Sequence, residues 1–184
     1  MMKKLEIKQM TLIGLMAALI CVVGPLTVPL PFTPVPISLT NLAIYLTAYA
    51  LGCRLGTVSY VIYLLLGTAG LPVFSAFSGG LSKLAGPTGG YLIGFILTAA
   101  ICGFMIDRSK GKRSIQSAGM ILGTLAAYLF GTVWLCTQIH LTPMQGLAAG
   151  VIPYLPGDLI KIALAAAVGN SIRQTVKKTA SAVS

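Results

Sequence analysis

Long apolar runs, separated by short groups of glycine, proline and charged residues, make up most of the chain. A helix needs about 20 apolar residues to cross a hydrocarbon core that is ~30 Å thick. One such run is compatible with a buried core helix of a soluble protein, but several are not. The pattern therefore predicts an all-α integral membrane protein with six transmembrane helices in one domain, residues 1–184. The predicted spans are approximately residues 10–28, 38–52, 56–72, 88–106, 114–139 and 151–172.

The distribution of basic residues predicts how these spans are oriented. Hydrophobic residues make up 56% of the chain and charged residues 9%, with a net charge of +10. If the N-terminus is cytoplasmic, every lysine and arginine except Lys83 and Lys161 lies on the cytoplasmic side, as the positive-inside rule requires. We therefore expect both termini to be cytoplasmic, basic residues to contact anionic lipid of the bilayer, and no nucleic-acid partner.

Asp158 and Lys161 are the charged residues that orientation leaves unexplained within the last predicted span. Their i, i+3 spacing places them on one face of a helix, about one turn apart. A charge at this depth is costly unless it is paired or hydrated, so the pair predicts either a ligand site or an internal ion pair that fixes helix packing. Pro156 and Gly157 predict a helix break just before the acid, with a restart whose N–H groups are free for a ligand.

Two connections on the opposite side from the basic residues have unusual composition. Residues 25–36 contain five prolines and predict an extended, rigid segment. Thr33, Ser38, Thr40 and Asn41 offer neutral hydrogen bonds to a ligand, and the alternative is that Ser38 or Thr40 caps the second span. Residues 72–95, rich in glycine and aromatic residues, predict a lid over a pocket, in which Thr88 or its neighbours cap the fourth span.

Other features bear on catalysis and on partners. The sequence has no partnered nucleophile, metal-ligand cluster or nucleotide-binding motif, which favours a protein that is not an enzyme and has no cofactor or metal. An intramembrane enzyme or an assembly factor remains the alternative from a different class. In the first span, small residues at 14/18 and 17/21 (Gly14, Ala17, Ala18 and Cys21) predict a face that another helix can approach closely.

Three stretches, PFTPVPISLTN, GGLSKLAGPTGGYLIGF and LPGDLIK, together resemble the BioY family, the biotin-specific S components of energy-coupling factor (ECF) transporters. The resemblance covers essentially the whole chain, in order. It implies the six-helix S-component fold, a biotin pocket open to the outside, and closure by the loops after spans 1 and 3. It also implies a bacterial plasma-membrane location, a transmembrane coupling protein and two cytoplasmic ATPases that use ATP.

The resemblance also implies roles for individual residues. Asp158 would accept hydrogen bonds from the ureido N–H groups, alone or together with Asn41, and Lys161 would offer positive charge. The pocket would be lined by Tyr91 and by glycines at positions 79, 80 and 89 (Gly79, Gly80, Gly89). Lys83 is a second candidate for the valerate carboxylate, and the choice between the two lysines stays open. The coupling protein would contact the small-residue face of span 1, where Cys21 replaces the alanine of an A-x-x-x-A motif. Another small carboxylated vitamin is the alternative ligand.

Overall fold

The computed structural model describes residues 7–182 and shows an all-α protein with one short β-hairpin. The helices are α1 (Ile7–Val23), α2 (Thr40–Thr68), α3 (Leu81–Ala85), α4 (Gly89–Arg108), α5 (Arg113–Ile139), α6 (Pro143–Gly150) and α7 (Leu155–Ala182). Single 3-10 turns cover Ser75–Phe77 and Ile152–Tyr154. The strands β1 (Thr27–Val28) and β2 (Ile37–Ser38) pair antiparallel at the two ends of the proline-rich segment.

Four helical stretches are long and apolar enough to cross a membrane: Thr40–Thr68, Gly89–Arg108, Arg113–Ile139 and Pro143–Thr179. Large apolar side chains such as Leu129 and Val22 are exposed on the outside of the bundle, as expected for a surface that faces lipid. The chain is therefore a multi-pass membrane protein. Helix α1 is apolar but shorter than its predicted span, because the helix ends at Val23, before Gly24 and Pro25.

Helix α2 contains both the second and the third predicted span, because it reverses direction at Gly52. This residue has φ 74° and ψ −166°, which glycine adopts readily and other residues do not. A Cβ atom on Gly56 would lie 3.5 Å from the Cα atom of Ala48. Residues eight apart in a straight helix are separated by about 12 Å. The two arms, residues 40–51 and 53–68, therefore fold back against each other.

The first arm of α2 packs against α5 and α7 through a buried interface that contains polar side chains. The hydroxyls of Tyr45 and Thr124 lie 2.5 Å apart, and Tyr49 Oη donates to Gln116 Oε1. Gln116 Nε2 in turn donates to Asn170 Oδ1 on α7 at 2.9 Å. These bonds hold together the three helices that carry the predicted acid and its neighbours.

Asp107 joins three elements at one end of the bundle. Its carboxylate accepts the backbone N–H of Cys53 at 2.9 Å and the guanidinium of Arg173 at 2.8 Å. The basic residues that adjoin these contacts therefore lie at this end of the bundle, which the positive-inside rule assigns to the cytoplasm. They are Arg54, Arg173 and the arginines and lysines of residues 108–113. The orientation itself remains a prediction, and Lys3 and Lys4 lie outside the described residues.

Candidate ligand-binding site

The end of the bundle opposite Asp107 contains a cavity between α2, α4, α5, α7 and the proline-rich segment. Its wall includes four of the predicted site residues, Asn41, Tyr91, Asp158 and Lys161. The apolar part of the wall includes Val35, Leu92 and Phe95. Hydroxyl groups on the wall come from Ser38, Thr40, Tyr63, Ser75, Thr88, Tyr91, Tyr128 and Tyr154.

Asp158 enters the cavity because the chain breaks between α6 and α7. Val151 has φ −130° and ψ −59° and is followed by the 3-10 turn, after which α7 begins at Leu155. The predicted break and restart are present, but Pro156 and Gly157 belong to the first turn of the new helix and do not form the break. Asp158 also lies in this first turn, where the helix dipole favours a negative charge.

The Asp158 carboxylate is the centre of a buried polar cluster with Lys161, Asn41 and Tyr128, which we call the Asp158 cluster. Its Oδ1 atom accepts hydrogen bonds from Lys161 Nζ at 2.9 Å and Asn41 Nδ2 at 2.7 Å. Its Oδ2 atom accepts one from Tyr128 Oη at 2.5 Å. Asp158 and Lys161 are 6% and 7% exposed, so each charge depends on these partners. A carboxylate offers about four acceptor positions, so Oδ2 can accept one further donor.

Tyr128 is a member of this cluster that sequence reasoning did not identify. It lies on α5, inside a run that reads only as a transmembrane span. A tyrosine at the middle of such a run needs a partner for its hydroxyl, which is a signal that a polar group is nearby. The signal does not identify the partner, because Asp158 lies 30 residues away on another helix.

Tyr91 lies on the cavity wall with its hydroxyl already bonded. Tyr91 Oη donates to the carbonyl of Gly150 at 3.1 Å and lies 3.2 Å from Thr132 Oγ1. A Cβ atom on Gly150 would lie only 2.0 Å from this hydroxyl oxygen, so the end of α6 fits closely against the tyrosine. Tyr91 thus fixes α6 against α4 and α5 while its side chain closes one side of the cavity.

The proline-rich segment is attached over the cavity by long-range hydrogen bonds. Thr33 Oγ1 donates to the carbonyl of Ala149 at 2.8 Å, and Tyr154 Oη donates to the carbonyl of Val35. Thr33 is thus a structural anchor and is not on the wall, in contrast to its predicted ligand contact. Ser38 Oγ accepts the Thr40 N–H at 3.0 Å in a turn that leads into α2, and the serine also lines the cavity. The N-cap residue of α2 is Leu39, which makes no side-chain capping bond.

The predicted lid, residues 72–95, contributes one of the site residues expected from it, Tyr91. Lys83, Gly79, Gly80 and Gly89 are absent from the described wall, to which this segment also contributes Ser75, Thr88, Leu92 and Phe95. Thr88 precedes α4, but its side chain makes no capping bond. Lys83 lies in α3, and partial burial lowers the pKa of its ammonium group.

Close packing explains two of the lid glycines, Gly79 and Gly89, and backbone conformation explains the third, Gly80. A Cβ atom on Gly79 would lie 2.3 Å from the carbonyl oxygen of Leu71, and one on Gly89 would lie 1.6 Å from that of Leu84. Gly80 has φ 90° at the start of α3, a conformation that favours glycine. These glycines shape the segment that brings Ser75 and Thr88 to the cavity.

Helix α1 divides its small residues between two faces. Gly14 and Ala18 are exposed, and a Cβ atom on Gly14 would meet nothing within 4 Å. Ala17 is only 3% exposed, and Cys21 packs against the core cluster of Tyr60, Tyr63 and Phe74. The predicted partner face is therefore corrected: the 14/18 pair lies on the surface, whereas the 17/21 pair faces the protein's own core.

The fold and the cavity define a multi-pass membrane protein with a small-molecule site at one end of its helical bundle. The model of the BioY family matches residues 1–178, and the chain belongs to this family. It is 35% identical to "Biotin transporter BioY" of Thermotoga maritima, over 91% of this chain and 96% of that protein. The protein of the same name from Rhizobium etli is 34% identical over 90% and 92% of the two chains.

A solved structure shows the same fold. It is described as the S-component for biotin from an ECF-type ABC transporter, with a TM-score of 0.85 and 29% identity over 95% of each chain. This similarity confirms the predicted S-component fold.

Proposed function

We propose that this chain binds biotin in the cavity and acts as the membrane-embedded substrate-capture subunit of an ECF-type transporter. The observation that carries the proposal is the Asp158 cluster on the cavity wall, whose Oδ2 atom has one acceptor position that the hydrogen bonds of the described residues leave unused. Biotin combines an apolar ring and chain with urea N–H donors and one carboxylate, and such a wall complements these features. The names of the relatives above support the same ligand.

In this proposal Oδ2 of Asp158 receives a ureido N–H beside the Tyr128 hydroxyl. Asn41 and Lys161 hold the carboxylate through Oδ1, so they orient the acceptor for the ligand. The ligand binds without chemical change, and the protein contributes no cofactor or catalytic group. Uptake is driven by a transmembrane coupling protein and two ATPase subunits on the cytoplasmic side, where both termini lie. The exposed Gly14/Ala18 face of α1 is the proposed contact with the coupling protein.

The test is equilibrium binding of labelled biotin to the detergent-purified chain without partner subunits. We expect tight binding by the wild type and a loss of about 100-fold or more in Asp158→Asn, because an amide replaces one of the acceptor atoms by a donor. Asp107→Asn is the matched control, since Asp107 also pairs with a basic residue but lies at the other end of the bundle. Equal affinity in wild type and Asp158→Asn would refute the site.

Two results would contradict the ligand or the class of protein. A folded wild type that binds another small carboxylated vitamin and not biotin would change the specificity. Chemical conversion of the bound ligand, measured by its recovery after incubation, would indicate an enzyme.

A further inference from the structure

The helices around the cavity end at different depths. At a rise of about 1.5 Å per residue, α4 is about 30 Å long, which equals the thickness of the hydrocarbon core. The two arms of α2 meet at the level of the last turn of α4, because the Cys53 N–H donates to Asp107. The arms are only about 18 Å and 24 Å long. Both therefore end inside the hydrocarbon core, roughly 6 to 12 Å below its boundary on the cavity side.

Helix α1 also ends inside this core, and the proline-rich segment starts there. A Cβ atom on Gly24, directly after α1, would lie 2.7 Å from the carbonyl oxygen of Val73 and 2.8 Å from Tyr63 Oη. Tyr63 is about 15 Å along the second arm of α2 from Cys53. The segment that follows Gly24 therefore leaves its helix at a depth where neighbouring helices are surrounded by acyl chains.

The first part of the lid folds back along the second arm of α2 instead of extending away from the bundle. Phe74 is 0% exposed, and its ring centroid lies 5.6 Å from that of Tyr63. A Cβ atom on Gly67 would lie 2.2 Å from the Phe74 ring. The Gly80 N–H donates to the carbonyl of Gly67 at 2.7 Å. Residues 74–80 therefore also lie at the depth of the hydrocarbon core.

The lid and the proline-rich segment meet at Ala76. Its N–H donates to the carbonyl of Pro25 at 3.2 Å and to Thr27 Oγ1 at 3.1 Å. Ala76 and Phe77 have φ values of 58° and 54°, a conformation that costs about 1 to 3 kcal/mol for each residue other than glycine. The contact thus holds two strained residues in place and joins the two segments into one surface.

Apolar side chains are exposed where the two segments meet. They are Leu26 at 49%, Val28 at 61% and Phe77 at 67%, and we call them the apolar junction. The junction continues the lipid-facing surface of α1, where Val22 is 71% exposed just before the helix ends. The sequence has no charged residue between Lys8 and Arg54, or between Arg54 and Lys83. Contact with water would be costly for such a surface, whereas contact with acyl chains would not.

The prolines explain how an irregular backbone is tolerated at this depth. An N–H group without a partner is costly in hydrocarbon, and proline has no N–H group. Five of the residues in the range 25–36 are prolines. Strands β1 and β2 pair with each other, and the N–H groups of Leu26 and Phe74 donate to the carbonyls of Val23 and Ser78. The junction therefore presents side chains to its surroundings while these backbone groups stay bonded.

We propose that the apolar junction contacts the acyl chains of the bilayer leaflet on the cavity side. The proline-rich segment and the lid are then partly embedded in the membrane, and phospholipid is the partner of this surface. The inference goes beyond the proposed function, because it concerns the bilayer and needs no ligand.

The experiment measures fluorescence quenching of single tryptophans in phosphatidylcholine vesicles. Trp134, the one native tryptophan, is replaced by phenylalanine in every variant, and thermal unfolding confirms that each chain is folded. Phe77→Trp and Val28→Trp report on the junction from two segments, so either one suffices if the other fails to fold. The quenchers are lipids brominated on the acyl chains, and iodide in the water.

Two exposed residues of α5 and its end provide the controls. Leu129→Trp is the lipid control, because Leu129 is 72% exposed and about 24 Å along α5 from Arg113. His140→Trp is the water control. His140 is exposed, has φ 53° like Phe77, and follows a helix of about 40 Å, which is longer than the hydrocarbon core is thick.

We expect brominated lipid to reduce the emission of the junction tryptophans as strongly as that of Leu129→Trp, and iodide to reduce only that of His140→Trp. Quenching of the junction tryptophans by iodide and not by brominated lipid would place them in water and overturn the proposal. Protection from both quenchers would mean that protein, such as a second copy of the chain, covers the junction. That result would also overturn it.

Discussion

Replacement of Lys161 by methionine tests whether the Asp158 cluster is held together by charge compensation. The substitution keeps much of the side-chain length but removes the ammonium group. Asp158 then loses one of the two donors to Oδ1, and the Ser38 carbonyl loses its donor at 2.6 Å. Both members of the pair are buried, so the remaining carboxylate has no compensating charge within the described wall.

The expected loss in the free energy of unfolding is large because the Asp158 carboxylate stays buried without its counter-charge. Breaking a buried pair by removing one partner costs about 3 to 5 kcal/mol. For a chain of this size, 1 kcal/mol corresponds to roughly 2 to 4 °C in the unfolding midpoint, so we expect a decrease of roughly 6 to 20 °C. The double variant Asp158→Asn plus Lys161→Met removes both charges and should recover at least about 2 kcal/mol of this loss.

The assay is thermal unfolding of the purified chains in one detergent at one protein concentration. Arg173→Met is the control, because its ion pair with Asp107 is partly exposed and pairs of this kind contribute about 0 to 1 kcal/mol. A single variant as stable as the wild type would refute the reasoning. So would a double variant that is less stable than the single one.

Two further substitutions test the turn in α2 and the attachment of the proline-rich segment. Gly52→Ala should destabilise the chain by about 1 to 3 kcal/mol or more, because φ is 74° and a Cβ atom would lie 2.6 Å from the Asp107 carboxylate. The measurement is thermal unfolding, with Gly14→Ala, at an open helical position, as the control. Equal stability of the two variants would contradict the argument. Tyr154→Phe removes the hydrogen bond to the Val35 carbonyl and should increase the ligand dissociation rate by roughly 2- to 10-fold. The rate is measured by release of labelled biotin. An unchanged rate would mean that this bond does not hold the proline-rich segment over the cavity.

The arrangement of residues along one helix could be predicted from the sequence, whereas contacts between helices could not. The spacing of Asp158 and Lys161 is enough to predict a shared face, and their salt bridge is present. Asn41 is 117 residues from Asp158, and nothing in the apolar runs specifies which helices adjoin. For the same reason, sequence reasoning found the acid but missed Tyr128.

Helix α1 shows a different limit. The helix is apolar on all sides, as expected when one side faces lipid and the other the protein core. Hydrophobic periodicity indicates the buried side only when the opposite side is polar. Both pairs of small residues therefore looked equivalent, and only the packing shows that Ala17 is buried and Gly14 is not.

The contacts around the cavity also indicate how a ligand enters. The proline-rich segment is attached by neutral hydrogen bonds at Thr33 and Tyr154, each worth about 0.5 to 1.5 kcal/mol, and by the buried side chain of Val35. Releasing the two bonds and exposing the valine costs roughly 3 to 6 kcal/mol. Separation of α2, α5 and α7 would instead break the Asp158 cluster and the buried bonds of Tyr45 and Gln116. That route breaks a larger number of buried polar bonds, so we expect the ligand to enter past the proline-rich segment while the three helices stay together.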